Sequence, residues 1–71
     1  MKVLIYIETN YADNEICFIG RNIREKYEVK TVSKTNDMVI SRSCLKVLPD
    51  YGIDDIINDI SDYTMLILSI P

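Results

Sequence analysis

The chain has 71 residues, enough for one small domain or part of a larger one, and its 48% hydrophobic content excludes a disordered polymer. A net charge of −3, with no cluster of lysine and arginine against it, excludes a phosphate-tracking nucleic-acid surface. Histidine is absent, and Cys17 and Cys44 alone cannot build a zinc site, so no metal and no other cofactor is expected.

Lys2 to Ile7 reads as a strand of continuous apolar character, the pattern of a strand covered on both faces. The run passes straight into Glu8-Thr9-Asn10 and is too short for a signal peptide. Tyr11-Ala12-Asp13-Asn14-Glu15 then opens a helix. Asp13 and Glu15 suit its first turn, where the helix dipole favours negative charge, and Asp13 reads as a capping or first-turn charge. Ala12, Ile16, Ile19, Ile23 and Tyr27 recur at helical spacing and form one face, with Arg21, Arg24, Glu25 and Lys26 outside. Gly20, in mid-helix, costs ~1 kcal/mol relative to alanine. It reads as a close-packing position, on the sheet or against a second subunit. Cys17 reads as a small packing residue, and Cys44 as a packing or partly exposed one.

Tyr27 to Ser33 alternates as a second strand, closed by Lys34-Thr35-Asn36-Asp37. Met38 to Ser41 and Leu45 to Leu48 are short extended segments, expected as a hairpin or a bent excursion. Pro49 to Gly52 reads as a turn. Asp54 is the expected N-cap of a short helix carrying Ile56, Ile57 and Ile60. Asp54, Asp55, Asp59 and Asp62 match no calcium-loop spacing and read as a solvated face. Thr64 to Ile70 is the last strand, far below membrane-spanning length.

Strands alternating with helices imply a parallel sheet with right-handed crossovers. The expected fold is therefore α/β, flavodoxin-like and three-layered, with residues 1–71 as the N-terminal portion of a larger domain around three strands. The expected setting is the cytoplasm, without membrane or nucleic acid. In such sheets ligands gather at the carboxyl ends of the strands. Glu15 puts a carboxylate there, although the helix dipole alone would explain an acid at that position.

The order of motifs resembles the N-terminal half of the DJ-1/PfpI family, a branch of the class I glutamine amidotransferase-like fold. Four segments carry the resemblance: Lys2 to Ile5 with Tyr11-Ala12-Asp13-Asn14-Glu15; Tyr27 to Ser33; Ile40-Ser41-Arg42-Ser43 with Leu45 to Tyr51; and Asp62-Tyr63 leading into Met65 to Leu68. The resemblance implies a cysteine-dependent amidase, peptidase or deglycase-like activity, or a stress-response role. It implies that Glu15 is a supporting carboxylate sharing a proton or hydrogen bond with a nucleophilic cysteine. Two like charges side by side are costly, so one of such a pair keeps its proton. Arg42 is implied, more loosely, as a substrate or anion contact.

Two departures bear on activity. The nucleophilic cysteine on its strand-to-helix elbow is not among these residues, and Ser69-Ile70-Pro71 stands where the family carries a proline and two glycines. Proline has no N–H to donate to an oxyanion pocket. The chain alone is therefore expected to be inactive, and its partner to be a second copy or a complementary C-terminal half. The other reading is a non-catalytic, self-associating or partner-binding module. A phosphotransfer receiver fits poorly, because Glu8 and Ser69 stand where it would carry aspartates.

Overall fold

The strand β1 (Lys2–Ile7) lies at the centre of the molecule. The computed structural model describes residues 1–69. After β1 come α1 (Asp13–Ile23), β2 (Glu28–Ser33), β3 (Val39–Ile40), β4 (Lys46–Val47), β5 (Tyr51–Gly52) and α2 (Ile53–Ile56). A 3-10 helix over Ile57–Asp62 continues α2, and β6 (Met65–Ser69) follows. The main sheet has the order β5-β2-β1-β6, with every pairing parallel. Val3 lies opposite Val29 on one side and Met65 on the other. Three of the six β1 residues are branched or long aliphatics buried in sequence, Val3, Leu4 and Ile5, as a strand covered on both faces requires.

Alternation along β1 splits the core into two layers. Ile5 and Ile7 pack with Tyr11, Val39 and Ile16 of α1 on one face. Leu4 packs with Val32 and Ile56 of α2 on the other. This is the expected three-layer α/β arrangement. No helix among the described residues is long and apolar enough to cross a membrane.

Several local expectations change. The sheet has four strands rather than three, because Tyr51 and Gly52 are not simply a turn but pair with Val32 and Ser33. Side-chain bonds hold them there. The Asp50 carboxylate accepts from the Thr31 N–H at 2.8 Å, and the Asp50 N–H donates to Thr31 Oγ1 at 2.9 Å. Asp54 does not cap α2. Gly52 is the N-cap residue, and its N–H donates to the Asp55 carboxylate at 2.9 Å, since an acid three positions into a helix can reach back to the cap. Gly20 meets no close neighbour: a Cβ there would have no heavy atom within 4 Å. Cys17 is exposed rather than packed, because the sheet face beneath α1 is engaged by Ile16 instead. β3 and β4 form the expected antiparallel hairpin, with Val39 opposite Val47. Of the last strand, Ile70 lies outside the described residues, as does Pro71.

Candidate functional site at the carboxyl end of β1

The chain leaves β1 through Glu8 and turns at Asn10, whose φ of 69° is a left-handed conformation that asparagine tolerates. The Tyr11 N–H closes the turn onto the Glu8 carbonyl at 2.9 Å. The hairpin clips to this turn by two backbone bonds. Asn10 N–H donates to the Ile40 carbonyl at 2.7 Å, and Arg42 N–H donates to the Tyr11 carbonyl at 2.9 Å. Tyr6, at the end of β1, donates its hydroxyl to Glu8 Oε1 at 3.1 Å.

Asp13, the first residue of α1, is buried beneath the hairpin. Its two carboxylate oxygens accept from Ser41 Oγ and Ser43 Oγ, each at 2.9 Å. Ser41 Oγ in turn accepts from the Leu45 N–H at 3.1 Å, so the serine ties the hairpin's own turn as well. Burial pushes the Asp13 carboxyl up. The hydroxyls of Ser43 and Ser41, with the backbone amides of Asp13 and Asn14, outweigh it and hold the group below its ordinary value. Asp13 is thus a first-turn charge, but its main task is to pin the hairpin. The signal for this was the pair of serines flanking Arg42, two hydroxyls at the bend between the two short extended segments.

Glu15 also lies in the first turn of α1, but is exposed. It lines a shallow depression with Asn14, Phe18 and Ile19. Arg42 is exposed on the hairpin. Its backbone bond to Tyr11 puts it on the same edge of the molecule as the start of α1. The two do not form an ion pair; among the described residues that contact is Lys2 with Glu28, at 3.8 Å. Both cysteines are free. Cys17 follows Glu15 by two positions on the helix, a spacing at which side chains do not face each other. Cys44 sits in the hairpin turn with a φ of 65°. Among the described residues no three acidic or thiol side chains come together to hold a metal ion. The edge thus offers one exposed carboxylate, one pinned carboxylate and one exposed guanidinium, without a thiol beside Glu15.

No family model matches the sequence, and no curated protein matches it. The fold, by contrast, has close counterparts among solved structures. A DJ-1 superfamily protein from Agrobacterium tumefaciens superposes with a TM-score of 0.85 at 24% identity. The match covers 97% of this chain and 37% of that one. The chain's structural neighbours are DJ-1 superfamily proteins. DJ-1beta of Drosophila melanogaster superposes with a TM-score of 0.82 at 14% identity, over 96% of this chain and 37% of its own length. The chain therefore spans little more than a third of the length of these DJ-1 superfamily proteins, the extent of an N-terminal part of their fold. At these identities the likeness is one of fold.

Proposed function

We propose that this chain is the N-terminal part of a DJ-1/PfpI-type unit, in which Glu15 supports a nucleophilic cysteine carried by a complementary segment. One observation carries the reading. An exposed carboxylate occupies the first turn of α1, at the carboxyl end of β1, in a fold that superposes on DJ-1 superfamily proteins with a TM-score of 0.85. A carboxylate beside a thiol shares a proton with it and so sets how much of the reactive thiolate is present. Arg42, on the same edge, would bind an anionic part of a substrate. The chemistry belongs to an assembled unit of the amidase, peptidase or deglycase kind, and these 71 residues alone are inactive. The two free thiols support a cytoplasmic setting.

The test joins residues 1–69 to the part of the Agrobacterium protein outside the match and follows, against pH, alkylation of the nucleophilic thiol that this part is expected to supply. Glu15→Gln is expected to move the thiol's apparent pKa by about one unit. An unmoved profile in a folded chimera removes Glu15 from the role. Glu15-dependent turnover by the isolated chain would equally overturn the reading.

A second reading is a non-catalytic module that binds a partner or a copy of itself. It is favoured by β6, whose Leu66 and Leu68 stand uncovered at 55% and 63% exposure. Sedimentation of the isolated chain separates the two readings: a well-ordered oligomer favours the module.

A further inference from the structure

Arg42 stands between two serines that bind one carboxylate. Ser41 Oγ and Ser43 Oγ each donate to Asp13 at 2.9 Å, one to each of its oxygens. The Arg42 N–H donates to the Tyr11 carbonyl at 2.9 Å. Three consecutive hairpin residues are thus bound to Tyr11 and Asp13, at the entry to α1. The turn that follows is closed on itself. The Ser41 N–H donates to the Leu45 carbonyl, and the Cys44 N–H to the Ser41 carbonyl, each at 2.9 Å. Arg42 is exposed, and its guanidinium forms no ion pair among the described residues.

This is a costly way merely to fasten a hairpin. Asp13 is 5% exposed, is held by hydroxyls and backbone amides, and has no cation as partner among the described residues. A buried carboxylate must be desolvated, and a pair of apolar side chains would hold the hairpin without that penalty. Apolar contact, however, has no direction. Two hydrogen bonds to the two oxygens of one planar carboxylate do, and they fix Ser41 and Ser43 relative to α1, and with them the residue between.

We propose that Asp13 is a positioning residue for Arg42, setting the place at which the guanidinium meets an anionic group. The inference rests on the reading of Arg42 as an anion contact, and not on Glu15 or its thiol. It runs against charge alone. Removing the negative charge of Asp13 would by itself favour an anion nearby, whereas releasing the pin disfavours it.

The probe is inorganic phosphate, added to the intact chain with chloride holding the ionic strength constant. Phenylglyoxal modifies exposed arginines, and peptide mass spectrometry reads the rate at each. Phosphate is expected to slow the reaction at Arg42 and to leave Arg21 and Arg24, at the far end of α1, unchanged. The phosphate concentration that halves the Arg42 rate is expected to rise about fivefold in Asp13→Asn and in Ser43→Ala. It should return to the parent value in Ser43→Thr, which keeps the hydroxyl. Ser43 is exposed, so its variants keep the fold even where Asp13→Asn does not. Amide hydrogen exchange gives the second readout. In Ser43→Ala the Arg42 amide is expected to exchange about fivefold faster, with the amides of β1 unchanged. Phosphate protection that survives in Ser43→Ala, or an Arg42 amide that exchanges there at the parent rate, overturns the positioning while leaving Arg42 an anion contact. Absence of protection in the parent overturns the proposal together with the reading of Arg42.

Discussion

Ser41 donates to the carboxylate of Asp13 at 2.9 Å across 28 residues of chain, and so locks the hairpin over the start of α1. The bond favours the ionised carboxyl in the folded protein, whose pKa lies below the ordinary 3.8. A lowered folded-state pKa gives a contribution that is complete above the unfolded value and is lost as pH falls through the folded one. Asp13→Asn is therefore expected to lower the melting temperature at neutral pH and to flatten its decline in acid, below roughly pH 4. Melting curves from pH 2 to pH 7 decide the matter. Parallel declines in the two proteins would falsify the assignment of Asp13 as an ionised pin.

The two glycines should behave in opposite ways. A Cβ on Gly52 would lie 2.8 Å from the Asn36 nitrogen and 2.9 Å from the Thr35 carbonyl carbon, both backbone atoms that cannot swing aside. Gly52→Ala is expected to cost about 1–3 kcal/mol and to loosen β5 from β2. A Cβ on Gly20 would meet nothing within 4 Å. Gly20→Ala is expected to stabilise the chain by roughly 0.5–1 kcal/mol through helix propensity. Urea denaturation of the two variants, with its slope held constant, measures both.

What the sequence discloses follows from where the hydrophobic pattern is strong. The run from Val3 to Ile7 and the helical spacing of Ile16, Ile19 and Ile23 are periodic signals, and β1 and α1 follow from them. β5 has no such signal. It is two residues long, and it exists because Asp50 and Thr31 exchange hydrogen bonds across the chain, a tertiary contact invisible to local pattern. The burial of Asp13 is tertiary too, because its serine partners come from the hairpin, and the serine pair flanking Arg42 is its trace in the sequence. The position of Glu15 in a first helical turn is legible from acidic preference and the apolar run behind it. Its chemical role rests on resemblance, because the thiol it would serve is not among these residues.

Cys44 supplies a further test. Its φ of 65° is a conformation that costs an ordinary L-residue roughly 1–2 kcal/mol and a glycine almost nothing. Cys44→Gly is expected to stabilise the chain by about 0.5 kcal/mol, and Cys44→Val to destabilise it by at least as much. Thermal melts of both variants check the sign. A glycine variant that melts lower than the parent sinks the expectation.

The centre of β1 tolerates least. Ile5 is among the largest fully buried side chains and packs against Ile7, Tyr11 and Val39. Ile5→Ala is expected to cost about 2–5 kcal/mol, a large share of what a domain of this size possesses. Far-ultraviolet circular dichroism at 25 °C should show loss of the folded signal. An Ile5→Val variant, expected to lose about 0.5–1.5 kcal/mol, should keep it.

The pairing of Val3 with both Val29 and Met65 also has a consequence for synthesis. β2 can settle beside β1 early, while the opposite flank of β1 waits for Met65 to Ser69 to be made. Until Met65 to Ser69 leaves the ribosome, the central strand of the sheet carries an unpaired edge, the kind of surface that draws chaperones or stray strands. Among the described residues, the strand that completes the pairing of β1 is made after all the others.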